Sequence, residues 1–179
     1  MEERKVRRLD REALWVSALK ALGGRAQSIG ELREKLRRRA EREADVDDVL
    51  ARLKELGYLD DRRFAEGYAA ARLSGDRFGR ARVIGDLRRR RVAPALAQRT
   101  VEKVYQEVDE EALIEEWIRR KYRMAVREGL FKEDKDMASA YRRLLRAGFR
   151  TGEIVRVLKR FAANPELLDA FEPPQEEGE

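Results

Sequence analysis

The sequence predicts an all-α fold: three tandem three-helix repeats of helix-turn-helix character, forming an elongated, curved rod. Three observations carry the prediction. Apolar residues recur at helical spacing from Leu9 to Ala163, without the sustained period-two alternation of a half-buried strand. Apolar and charged residues each make up 42% of the 179-residue chain, so the buried face is narrow and the exposed area large. One ungapped register also relates three segments: at an offset of 51, Leu36, Val46, Leu50 and Leu53 fall on Leu87, Ala97, Val101 and Val104, and a further 57 brings these to Leu144, Ile154, Leu158 and Phe161.

The elements follow in order. Leu14, Ala18 and Leu22 form the stripe of a first helix that Gly23-Gly24 stops. Ser28 and Glu31 make a capping box for a second helix with Leu32 and Leu36 buried. A third begins near Asp45 and places Val46, Val49, Leu50, Leu53 and Leu56 on one face. The junction Gly57-Tyr58-Leu59-Asp60 then closes that helix and aims the next within three residues. Gly57 takes the left-handed conformation of a helix end, Asp60 caps the following helix, and Leu59 and Phe64 occupy the positions of a hydrophobic staple. The first helices of the later repeats lie near 64–73 and 113–122, and the pairs 40–41, 91–92 and 148–149 mark the turn before each third helix. Pro94 suits a first helical turn, where its missing amide proton is not needed. The repeats are read as 9–59, 60–108 and 109–164, with a polar insertion near 128–136 and an acidic tail over 165–179. Each is too small to bury its stripe well alone, so neighbours should pack end to end.

Composition closes many routes to catalysis. The chain has neither Cys nor His, which removes disulfides, thiolate metal sites and the commonest general base. No apolar run approaches the roughly 20 residues of a membrane span, and MEERKVRRLD has no hydrophobic segment to serve as a secretory signal. A cytoplasmic, non-enzymatic protein that is monomeric, without membrane contact, and needs neither cofactor nor metal is expected. The net charge of +6 is unevenly placed: from Glu166 onward there are six acidic residues and no basic ones, leaving a body of 41 basic and 29 acidic side chains, net +12. Such a body is drawn towards polyanions.

The motifs SIGELREKL (28–36), GYLDDRRFA (57–65), GRARVIGDLRRRRV (79–92) and LLRAGF (144–149) followed by EIVRVLKRF (153–161) resemble those of the RecX family of bacterial regulatory proteins. Two departures stand out. Arg91 replaces the family's Gly after the second middle helix, so that turn is expected to close differently, and Asp86 replaces its Glu. The resemblance implies a modulator that lies in the groove of the RecA–DNA filament, with the filament as principal partner and single- or double-stranded DNA as a weaker, electrostatic one. It implies suppression of the filament's ATP hydrolysis, strand exchange and co-protease activity, in DNA repair and SOS regulation.

Basic runs are the most prominent chemical feature: Arg37, Arg38 and Arg39; Arg88, Arg89 and Arg90 with Arg91; Arg119, Arg120 and Lys121; and Arg142, Arg143 and Arg146. On a helical wheel Arg89 points away from the core, Arg88 and Arg90 flank it, and Arg91 returns to the core side. Two readings stand for these runs. They are a solvated face whose cations favour helix C-termini, or a partner and DNA-binding face, a reading that their recurrence at matching places in repeats one and two supports. Trp15, Phe64, Tyr68, Trp117 and Tyr122 lie at apolar spacing and are expected to pack in the core, leaving no aromatic array for single-strand stacking. Asp45, Asp47, Asp48, Asp60 and Asp61 begin helices, where carboxylates cap and complement the dipole. The alternative function is an autonomous helix-turn-helix DNA-binding protein acting as a repressor or architectural factor. The sequence offers it only diffuse arginine and no dimerisation segment.

Overall fold

A computed structural model describes residues 8–122 and 134–161. Among these, nine α-helices follow one another: α1 (Arg11–Gly24), α2 (Ile29–Arg37), α3 (Glu43–Glu55), α4 (Asp61–Ala71), α5 (Arg80–Arg89), α6 (Pro94–Val104), α7 (Glu110–Tyr122), α8 (Asp134–Arg146) and α9 (Thr151–Phe161). A π-helical turn, Arg72–Asp76, extends α4. The only extended pairing among the described residues is a single parallel bridge between Leu9 and Ala40. Residues 128–133 of the expected insertion and the acidic tail lie outside the described residues.

Backbone contacts divide the chain into two compact units, Met1–Tyr68 with Asp86–Val101, and Ala69–Gly85 with Glu102–Glu179. In the first, α1, α2 and α3 pack on one another around Leu14, Leu32, Leu36, Val46, Leu50, Leu53 and Leu59. In the second, α9 packs against both α7 and α8. The repeat register is visible in burial: Leu36, Leu87 and Leu144 are all fully buried, as are Val46, Ala97 and Ile154. At the last aligned position Leu53 and Phe161 are buried, but Val104 is only half-buried.

Caps explain the helix starts. The Asp10 carboxylate accepts from Ala13 N at 2.9 Å at the head of α1. The capping box of α2 is complete, with Glu31 N donating to Ser28 Oγ at 3.0 Å and Ser28 N to Glu31 Oε2 at 3.3 Å. Asp60 Oδ1 accepts from Arg62 N at 2.8 Å and Arg63 N at 3.0 Å, opening α4. Helix α3 starts two residues before the expected Asp45, whose buried carboxylate is gripped by Arg42 at 2.7 and 3.0 Å. Asp61 accepts from Ile29 N at 2.8 Å, and burial raises its pKa above the ordinary carboxylate value.

The helix ends show a recurring device. After α3, Tyr58 N donates to Leu53 O and Gly57 N to Lys54 O, both at 2.9 Å, with Gly57 at φ 73°. This is a Schellman cap. The same closure ends α5, where Val92 N reaches Leu87 O at 3.1 Å and Arg91 N reaches Arg88 O at 2.9 Å. It also ends α8, through Phe149 N to Leu144 O at 3.3 Å and Gly148 N to Leu145 O at 2.9 Å. Arg91 therefore does not change the turn. It adopts the glycine conformation, φ 60°, at the strain a side chain incurs there. The turn at 40–41 is the one that differs: Ala40 N bonds back to Leu36 O at 2.9 Å, and Leu9 pairs across it.

The two caps give opposite expectations. Gly57 has open space where a Cβ would stand, so Gly57→Val meets only the backbone penalty and should lose about 1–2 kcal/mol. Arg91→Gly relieves the same strain and should gain about 0.5–1 kcal/mol, less what its exposed 3.7 Å pair with Glu34 contributes. Chemical denaturation of both variants checks the signs.

Middle helices dock end on end. In the first unit Ser28, at the head of α2, donates through Oγ to the carbonyl of Arg90, and a Cβ on Gly30 would stand 2.6 Å from the Arg91 carbonyl oxygen. In the second, Gly79 N donates to Ala147 O at 2.8 Å and Ala81 N to Gly148 O at 3.2 Å. Ser28 and Gly79 are equivalent at the 51-residue offset, as Arg90 and Ala147 are at the 57-residue offset. One coupling is thus used twice, joining donors at a helix head, a hydroxyl in the first unit and main-chain amides in the second, to free carbonyls at a helix tail.

Candidate functional site

The basic runs do not form one surface. Arg37, Arg38 and Arg39 lie at the end of α2, while Arg88, Arg89 and Arg90 lie by its head, because the turn after α5 docks there. The nine residues of α2 separate them by about 13 Å of helix. Most of these cations are also engaged. Arg37 pairs with Glu43 at 3.0 Å, Arg38 with Glu34 at 3.2 Å, and Arg39 donates to Ser17 Oγ at 3.1 Å. Arg89 binds Asp86. Arg90 pairs with Glu31 at 3.3 Å and lies 4.8 Å from the centre of the Tyr68 ring.

The wheel put Arg90 on the open face and Arg91 towards the core. The structure reverses them, because α5 ends at Arg89 and the chain then turns: the Arg90 side chain is 29% exposed and that of Arg91 57%. Arg88 is exposed and binds no carboxylate among the described residues.

The aromatic expectation is also corrected. Trp15, Phe64, Tyr68, Trp117 and Tyr122 are all only partly buried, Trp15 packing against the edge of the first unit's core, and the buried rings among the described residues are Tyr105, Tyr141, Phe149 and Phe161. Phe64 and Tyr68 stack with ring centres 6.2 Å apart. With Tyr58, Arg25, Arg63 and Arg90 they line a groove of about 760 Å³ beside the α3–α4 junction. Of the expected junction residues, Leu59 is buried in the core of the first unit, while Tyr58 is 56% exposed. Trp15 lies under the Arg52 guanidinium at 4.5 Å. Helical spacing alone could not separate these boundary rings from core ones, since both fall on the same side of a wheel.

In the second unit Arg142, Arg143 and Arg146 lie along α8, all exposed. Arg143 and Arg146 join Arg82 of α5 and Lys121 of α7 around a shallow cleft of about 340 Å³, whose remaining walls are Phe78, Trp117 and Ala147. No carboxylate lines it among the described residues. The Arg82 guanidinium lies 5.3 Å over Phe78, and Nη1 reaches the Arg146 carbonyl at 3.5 Å. Beneath, the Tyr105 hydroxyl donates to the Phe78 carbonyl at 2.8 Å, and burial pushes that phenol well above its ordinary pKa. Arg150, outside the cleft, is held by Glu110 at 2.8 Å, and that hydrogen bond raises its pKa.

The acidic clusters are spent on structure. Asp47 pairs with Arg33 at 2.5 Å and Asp48 approaches Arg11 at 3.9 Å, while Asp45, Asp60 and Asp61 serve the helix ends described above. No helix among the described residues is long and apolar enough to cross a membrane.

Fold and surfaces together define a tandem three-helix repeat protein that presents cations and half-exposed aromatic rings to its surroundings. Family models described as the first and second three-helix domains of RecX match residues 15–53 and 60–101. The regulatory protein RecX of Deinococcus radiodurans is 34% identical over 97% of this chain and 77% of its own. That of Streptomyces coelicolor is 30% identical over 79% and 73%. The crystal structure of RecX from Lactobacillus salivarius superposes with a TM-score of 0.63 at 18% identity, over 90% of this chain and 97% of that one. A second RecX crystal structure gives 0.64 at 17% identity, over 83% and 73%. The chain belongs to the RecX family of regulatory proteins.

Proposed function

We propose that this protein binds the RecA–DNA filament and restrains its ATP hydrolysis, strand exchange and co-protease activity, acting as a cytoplasmic monomer without catalysis of its own. The observation that carries the proposal is the chain-long relation to regulatory proteins of this family. Exposed cations on each unit suit contact with phosphates and acidic protein surface. In the first unit Arg88 and the Arg37–Arg39 run are exposed, and in the second Arg142, Arg143 and Arg146. The repressor reading gains nothing from the surface: its cations are spread over several helices instead of being gathered on one recognition helix.

Co-sedimentation tests the proposal. The protein should pellet with preformed recombinase filaments on single-stranded DNA at a salt concentration where it stays in solution with the same DNA alone, and it should slow filament ATP hydrolysis. Equal pelleting with DNA alone, without effect on the ATPase, would replace this reading with autonomous DNA binding.

A further inference from the structure

We infer that the cleft between α5, α7 and the α8–α9 turn is a binding site for single-stranded nucleic acid, with phosphates on Lys121, Arg143 and Arg146 and a base against Trp117. The inference deepens the proposed function, on which it rests, by naming the ligand of its DNA contact. Its starting point is an imbalance of charge. Several arginines elsewhere in this unit are matched: Arg77 with Glu116 at 2.7 Å, Arg119 with Glu115 at 3.4 Å, Arg150 with Glu110, and Arg160 with Glu111 and Glu115. In the cleft Lys121, Arg143 and Arg146 converge with no carboxylate among its described lining residues, and Lys121 and Arg143 pair with no acid among the described residues. Converging like charges raise the local potential and leave the site to a polyanion.

Two aromatic walls decide which polyanion. An acidic protein surface needs only cations, but Trp117 offers a partly exposed ring within reach of the same charges, beside Phe78 with Arg82 over its ring. Alternating cations and ring faces is how single strands are held without sequence preference. A duplex keeps its bases stacked inward and could use the cations alone. The cleft's 340 Å³ lies near the lower end of the roughly 300–1,000 Å³ of small-ligand sites, room for one splayed nucleotide. Its walls are also fixed in place. The π-helical turn preceding Phe78 is tied down by Arg77, which bonds the Leu73 and Ser74 carbonyls, and by Arg120 of α7, which bonds that of Gly75.

The test uses the full chain carrying Trp15→Phe, which leaves Trp117 as the sole indole. Oligothymidylate at low salt should quench its emission. Lys121→Glu with Arg143→Glu should weaken binding at least tenfold and lower the slope of log affinity against log salt by about 1.4, the share of two phosphate contacts on a single strand. Trp117→Leu, followed by anisotropy of a labelled strand, should cost about tenfold with the slope unchanged. Unquenched Trp117, or a double variant that binds like the parent, overturns the site. So does polyglutamate that competes as well as oligothymidylate, since it would assign the cleft to an acidic protein. Filament co-sedimentation is read separately: a parent protein that ignores filaments removes the proposed regulation, yet quenching by free oligonucleotide would still uphold the cleft.

Discussion

Gly148→Ala should destabilise the protein by about 3 kcal/mol or more, the largest loss expected from a single added methyl group. Two causes act together. Gly148 sits at φ 90°, where an L side chain is strained, and a Cβ there would stand 2.2 Å from the backbone nitrogen of Arg82. Backbone cannot swing aside as the end of a side chain can, so the head of α5 would have to lift from the turn. Gly79→Ala should do comparable damage from the other side, its Cβ falling 2.2 Å from the Gly148 carbonyl oxygen. Gly152→Ala is the control: it lies within α9 with nothing near its Cβ, and should be neutral or gain up to about 1 kcal/mol from helix propensity. Denaturant melts of the three variants decide the matter, and an unaffected Gly148→Ala would show that the docking contributes little.

Reversing Arg88, Arg89 and Arg90 together to Glu should unfold more than it informs. Only Arg88 is an uncommitted surface cation. Arg90→Glu would replace one of the two arginines on Glu31 with a second carboxylate, beside a Glu31 side chain that is only 17% exposed, and would remove the cation over Tyr68. Arg89→Glu would set a like charge against Asp86. The combined loss should be about 2 kcal/mol or more, read as a lowered midpoint in thermal denaturation. Any fall in filament inhibition by this triple variant would then reflect lost structure. Arg88→Glu alone should melt within about 0.5 kcal/mol of the parent and is the cleaner probe of that surface.

Much of the fold was legible because its signals are local. The capping box at Ser28, the Gly57 turn and the Asp60 cap each depend on residues within six positions, and the structure has all three. The repeat register was legible for a related reason: a buried leucine at the end of each middle helix leaves a regular mark. What escaped was set by longer contacts. Arg90 was assigned to the open face because a wheel knows nothing of Glu31, fifty-nine residues earlier in the chain. Arg91 drew attention as a missing glycine, but nothing nearby in sequence tells that Arg can occupy the same turn. The aromatic assignment failed because spacing fixes a ring's direction and not its depth. The unit-two cleft gathers residues from three separate helices, so no motif announces it; a clue was present in Arg143 and Arg146, which at i and i+3 share one face of α8.

The end-on coupling of middle helices bears on how such a protein can change over generations. Its contacts are made by main-chain amides and carbonyls, by one hydroxyl, and by the absence of side chains at Gly30, Gly79 and Gly148. Most of the rest of a repeat is then free to drift, since helix faces can exchange one apolar or charged residue for another while the joint persists. A lineage can rewrite its surface for a new partner without redesigning the seams, and the few positions where it has no such liberty are those where there is almost nothing to mutate.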